Sequence, residues 1–226
     1  MRGEPRSRPF VALLLAALTL TGCAAAPSDP VPSPTTIDLD GWTAESGNGL
    51  TLLSGAAARE VVLSRVDAAD AVAMSATFRG ADGGELRSKT RRAGSDRAAT
   101  VVAGARTVRI VMIGDRGYLR EGDGAYRCVA RGDAALDRWM PLSDADELLA
   151  TLTADASGLG SPREDGTVDL LLGTEQTTGT LVVTSQGDAL PQRLVRADAA
   201  GTFEATFSGW TDDSPIEVPS PLGDGC

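Results

Sequence analysis

The chain has 226 residues, 21 Lys+Arg against 31 Asp+Glu for a formal charge of -10, and no histidine. Without an imidazole there is no Ser-His-Asp or Cys-His arrangement and no HExxH zinc site, and an acidic balance offers no basic stripe to displace phosphate counterions from nucleic acid. Hydrophobic residues at 42% and charged residues at 23% are a globular composition, which predicts one domain of moderate size.

In chain order, Arg2, Arg6 and Arg8 precede an apolar run from Phe10 to Leu20 that ends in Leu20-Thr21-Gly22-Cys23. The run is about half the ~20 residues that a spanning helix needs, and basic flank, short apolar stretch and small residues are the pattern of a cleaved leader. The tetrad resembles the bacterial lipobox, in which diacylglycerol is attached to the cysteine thiol before cleavage ahead of it. That resemblance implies a signal peptide over 1–22, lipidation at Cys23 and a position on the extracytoplasmic face of the cell membrane. The alternative is an ordinary secreted protein with an accidental cysteine.

Removing 1–22 takes away three arginines and one glutamate, leaving 18 basic and 30 acidic groups. Anionic headgroups repel such a domain, so acyl chains must hold it, at about 0.8 kcal/mol per buried methylene. Pro27, Pro30, Pro32 and Pro34 make residues 23–40 an extended tether between the lipidated cysteine and a domain over 41–226. Export to an oxidising compartment and the parity left once Cys23 is lipidated predict a Cys128–Cys226 disulfide, the alternative being two free thiols.

A helix is predicted over Gly55 to Asp70, capped by Ser54, with Val62, Val66 and Ala69 on one face. Val72, Met74, Ala76 and Phe78 then alternate with polar or small residues as a half-buried strand. Asp82-Gly83-Gly84 turns the chain into a polar strand, Glu85 to Arg92, followed by strands at Ala98 to Ala103 and Arg106 to Ile113. Gly114 to Gly117 and Gly122 to Gly124 are turns before Tyr118-Leu119-Arg120 and Tyr126 to Ala130. Such short Gly/Asp turns join antiparallel neighbours, because a parallel crossover needs a dozen or more residues.

Ser143 is the expected cap of a second helix, with acidic residues at its positive end and an apolar stripe of Leu148, Leu149 and Leu152. A Gly/Pro-rich loop is expected from Gly158 to Gly166, then strands at Thr167 to Leu172, Thr180 to Ser185, Gln192 to Ala197 and Thr202 to Ser208. About nine strands and two helices give an α+β fold, one curved antiparallel sheet with helices on one face.

The segments Leu181-Val182-Val183-Thr184, Leu190-Pro191, Arg193, Phe207-Ser208-Gly209-Trp210 and Ile216-Glu217-Val218-Pro219, together with Val111 to Arg120 and the later Trp139, resemble the LolA-like superfamily, within it the LppX/LprG group of actinobacterial lipoproteins. The resemblance spans roughly 55 to 220. It implies an unclosed half-barrel whose concave face, capped by helices, encloses an apolar cavity for the acyl chains of lipids or glycolipids. Val72, Met74, Phe78, Ile110, Met112, Leu148, Leu152, Leu170, Leu172 and Val182 are the candidate lining residues, each also readable as ordinary core. Trp139 and Trp210 read as packing anchors.

Asp144, Asp146 and Glu147, and the pair Asp212 and Asp213, lack EF-hand spacing, so no metal or cofactor is expected. GxSxG, SxxK, GxGxxG and P-loop motifs are absent, which leaves binding rather than catalysis. The expected function is that of a monomeric, membrane-anchored lipid carrier. The alternative is a tethered protein-binding or envelope-sensing module without lipid cargo.

Overall fold

The computed structural model describes residues 47–224 and 226. The leader, Cys23 and the proline tether fall outside them. A 3-10 turn, Leu50–Leu52, precedes α1, Gly55–Ala68, whose first turn is capped by Ser54 accepting from the Ala57 N–H at 3.3 Å. Six strands follow: β1 Ala71–Gly80, β2 Glu85–Ala93, β3 Asp96–Ala103, β4 Arg106–Ile113, β5 Arg116–Glu121 and β6 Arg127–Ala130. A short helix α2, Ala134–Asp137, a 3-10 turn Met140–Leu142 and α3, Ala145–Leu152, separate these from β7 Ala156–Leu159, β8 Thr167–Thr174, β9 Thr177–Thr184, β10 Pro191–Asp198 and β11 Gly201–Ser208.

The strands form one open, curved antiparallel sheet in the order β6-β5-β4-β3-β2-β1-β11-β10-β9-β8-β7. The strand with no counterpart in the expected set is β7, which begins just ahead of the predicted loop and runs into it. Its four residues, Ala-Ser-Gly-Leu, carry little strand propensity and are ordered by pairing with β8 across a register shift, an example of context overriding propensity. The third helix, α2, is a single turn that Asp133 caps by accepting from the Ala135 N–H.

Period-two alternation sends one face of every strand inward. On the inner face, Ala58, Val62 and Val66 of α1 and Ala145 and Leu149 of α3 pack on Val72, Met74, Leu170, Leu172, Leu181, Leu194, Ala205 and Phe207. A second, separate cluster joins Leu136 of α2 to Ile110, Met112, Leu119 and Val129. The outer face carries a smaller cluster, where Ile216 of the C-terminal segment covers Val111, Tyr118 and Tyr126. Leu222 then bridges to Tyr126, and the Cys128 and Cys226 sulfurs come to disulfide distance, with Cα atoms 5.2 Å apart.

Two sequence expectations are corrected. The cap of α3 is Asp144, whose Oδ1 accepts from the Asp146 and Glu147 N–H groups at 3.1 and 3.2 Å, while Ser143 closes the preceding turn by donating to the Met140 carbonyl. Val182 does not face the helices. The inward residues of β9 are Leu181 and Val183, and Val182 stands on the outer face between Asp169 and Arg193.

The start of α1 sits directly on β7. A Cβ added at Gly55 would lie 2.4 Å from the Gly158 backbone nitrogen. Glycine is what allows this helix terminus to approach the edge strand so closely.

Candidate functional site: the inner face of the sheet

Helical cover on the inner face comes in two pieces. At one end α1 lies against β7, β8 and α3, and α3 against β1. At the other, α2 and the Met140 turn lie over β3 to β6. Between them the register aligns small inward residues, Ala76 opposite Ser88 and Thr90 opposite Ala99, and all four are buried.

Beside this strip, at the second piece of cover, opens a cleft of about 490 Å³. Met112, Leu136 and Met140 supply apolar surface, and Arg97, Arg131 and Asp137 supply charge. The volume falls in the range of about 300–1,000 Å³ usual for small-molecule sites, and such sites pair an apolar lining with a few polar groups that fix orientation.

An ion-pair seam joins the cleft to the helical cover at the other end. Arg97 lies 2.5 Å from Asp144 and 4.0 Å from Asp146, and the Nε of Arg92 is 3.2 Å from Asp146. Arg92 also donates to the Val66 and Ala69 carbonyls at the C-terminal end of α1, each at 2.8 Å. Burial pushes the Asp146 carboxyl above its ordinary range. Arg92 opposes that rise, Asp144 adds to it and Arg97 opposes it. The acidic residues expected at the positive end of this helix therefore also anchor α3 to the β2–β3 hairpin. No group of acidic or cysteine side chains suited to a metal occurs among the described residues.

The far end of α3 is fastened in a similar way. Arg59 donates to the Ala150 carbonyl and Arg196 to the Leu152 carbonyl, at 2.8 and 2.7 Å, placing cations at the negative end of the helix. Arg196 also donates to Asp155 at 2.7 Å. Burial would raise the Asp155 carboxyl, but the hydrogen bonds from Arg196 and Thr177 outweigh it and hold the group below its ordinary range.

Of the candidate lining residues, Val72, Met74, Leu170 and Leu172 are buried in the first cluster, and Leu148 and Leu152 pack against it partly buried. Ile110 and Met112 belong to the second cluster, and Met112 also lines the cleft. Phe78 sits inward on β1 opposite Phe203, and Val182 is on the other face. Trp139 packs on the second cluster with the Arg138 guanidinium 5.0 Å from its ring, and Trp210 stacks on Phe207 at 6.4 Å. Sequence reasoning missed Leu136, Met140, Arg97 and Arg131 as cleft residues. The one available signal was Asp133 before Ala134-Ala135-Leu136, a cap ahead of a single apolar turn.

No sequence-family profile and no curated protein sequence matches the chain. Among solved structures, it is similar to LprF from Mycobacterium bovis, with 12% identity, a TM-score of 0.46 and coverage of 75% of this chain and 99% of that one. It is also similar to the lipoprotein LppX of Mycobacterium tuberculosis, with 15% identity, a TM-score of 0.40 and coverage of 71% and 95%. An uncharacterized conserved protein from Thermus thermophilus follows at 14% identity, a TM-score of 0.36 and coverage of 67% and 86%. Among the described residues, no helix is long and apolar enough to cross a membrane.

Proposed function

We propose that the protein is a lipoprotein held by acyl chains on Cys23 at the extracytoplasmic face of the cell membrane, where it binds the acyl chains of a lipid or glycolipid on the inner face of its sheet. The observation that carries the reading is the inner cleft, where Met112, Leu136 and Met140 stand beside Arg97 and Arg131. An apolar floor whose edge carries Arg131, beside Asp137 and an Arg97 already paired with Asp144, suits an amphiphile that has an acyl chain and a polar headgroup able to meet a cation. Burying ten to sixteen methylenes supplies roughly 8–13 kcal/mol of gross transfer free energy, part of which is offset by ordering the chain. The reading is one of binding and carriage by a monomer, not of catalysis.

Native mass spectrometry of the full chain purified from an actinobacterial host, followed by lipid extraction, tests the cargo. A bound lipid is expected, with occupancy reduced by Met140→Trp, a partly buried position where a larger ring enters the cleft with little cost to the fold. No bound lipid, together with no uptake of a fluorescent acyl probe, would overturn carriage and favour a protein-binding module. Cell fractionation of Cys23→Ser tests the anchor separately: the variant is expected to leave the membrane fraction, and unchanged membrane association and mobility would contradict lipidation.

A further inference from the structure

The outer face of the sheet carries a feature unrelated to the inner cleft. In the β2–β5 register Lys89 stands opposite Thr100, Thr100 opposite Arg109, and Arg109 opposite Arg120. Three cations and a hydroxyl thus share one cross-strand row in a chain with 31 acidic and 21 basic residues. Like charges directly opposite one another destabilise a strand pair.

Two of these groups have local relief. Arg120 lays its guanidinium 4.4 Å from the Tyr126 ring centre, and Arg109 donates to the Gly122 carbonyl at 3.2 Å. Neither interaction neutralises charge, and Lys89, Arg109 and Arg120 make no ion pair with a carboxylate among the described residues. Around the row is a groove of about 270 Å³ lined by Lys89, Arg91, Thr100 and Arg109, with Val111 and Tyr126 among its apolar surface and no acidic residue among the lining. Arg91 alone is engaged by carboxylate, at 3.4 Å from Asp212, and it also donates to the Ser214 carbonyl, which ties the C-terminal segment to the groove.

We infer that this groove is a second binding site, on the face opposite the inner cleft, that takes a phosphate-bearing anion. The chemistry fits: Lys89 and Arg109 flank the Thr100 hydroxyl from the two neighbouring strands, and Arg91 lines the same groove, so a phosphate seated there accepts several charge-assisted hydrogen bonds at once. The apolar surface at Val111 and Tyr126 accommodates the carbon substituent of a phosphate ester. The acidic bulk of the chain opposes capture of anions at long range, so the site works through short-range contacts and not through steering.

Lys89 is the only lysine in the chain, so reductive 13C-methylation of the full chain gives a single side-chain NMR signal distinct from that of any α-amine. Titration with glycerol 3-phosphate at fixed ionic strength is expected to move that signal saturably. Arg109→Gln should weaken the apparent affinity at least tenfold, with Arg109→Lys recovering most of the loss and Thr100→Val, which preserves shape, weakening it severalfold. Dihexanoyl phosphatidylglycerol below its micelle concentration identifies the source: tighter binding of this diester assigns the site to a lipid headgroup, and tighter binding of the monoester to a soluble phosphate ester. A Lys89 shift that follows ionic strength alone, or one indifferent to both Arg109→Gln and Thr100→Val, overturns the site.

Discussion

The Nε of Arg92 lies 3.2 Å from a carboxylate oxygen of Asp146, while the terminal nitrogens of the same guanidinium hold the last carbonyls of α1. One side chain of β2 therefore fastens the end of one helix and the start of another. Its exposure is only 11%, so solvent competes weakly for these bonds.

Arg92→Leu is expected to lower unfolding stability by about 3 kcal/mol, because it leaves two helix-terminal carbonyls without their donor and a partly buried carboxylate without its nearest cation. Asp146→Asn should cost under about 1 kcal/mol, since burial already disfavours the ionised carboxyl. Urea titrations of the two variants check the contrast, and equal losses would contradict the central role given to Arg92.

The two shifted carboxyls act in opposite directions with pH. Asp155 titrates below its ordinary value of 3.8 in the folded state, so the unfolded chain binds the proton more readily. Its contribution to stability is complete above that value and is lost as pH falls through the folded one. Asp146 titrates above 3.8, so stability declines as pH rises from 3.8 through its folded value. Chemical denaturation between pH 2.5 and 7 should show the deficit of Asp155→Asn shrinking toward acid, and Asp146→Asn should remove a loss of stability that the native chain shows as pH rises just above 3.8.

Gly55→Ala should destabilise the protein by about 1–3 kcal/mol, although alanine is the better helix former by about 1 kcal/mol in a helix interior. The added methyl meets the Gly158 backbone, which has no side chain to rotate away. Thermal unfolding would show the effect directly. A higher melting temperature in the variant would mean that α1 and β7 are less tightly apposed than the structure has them.

Cys128 and Cys226 are separated by 98 residues. If the two form a bridge, the closed loop reduces unfolded-state entropy by about 4–5 kcal/mol, less any native strain. Reductant should add two hydrogens to the intact mass and lower the melting temperature. An unchanged mass would show that the thiols are free.

Most of the sheet was legible in the sequence because its hairpins carry both signals that matter, alternation along the strand and a Gly/Asp turn at its end. Arg106–Ile113 coincides with the expected strand, and Ser54 caps α1 as its position ahead of the helix suggested. Parity was harder to read where apolar residues run together. Leu181-Val182-Val183 gives no internal clue to which residues face inward, and pairing of Leu181 with Leu170 and Leu194 decides it. The cleft was illegible for a different reason. Leu136 and Met140 belong to a single turn and a 3-10 segment, too short for any periodicity to show.

The order of strands also bears on how the chain reaches this state. Every neighbouring pair in the sheet is consecutive in sequence except β1 and β11, where Ala73 meets Ser208 and Gly80 meets Gly201. The first six strands and the last five can each zip up through local hairpins, at modest loop-closure cost. The junction between the two meanders must instead close a loop of more than a hundred residues, and it is also where the helical cover from α1 and α3 is seated on strands from both halves. Assembly is therefore expected to proceed as two local nuclei followed by a late docking. In pulse-labelled hydrogen exchange, amides linking β1 to β11 should gain protection after those within β3–β4 and β8–β9, and simultaneous protection of all three sets would mean that the sheet forms as a single unit.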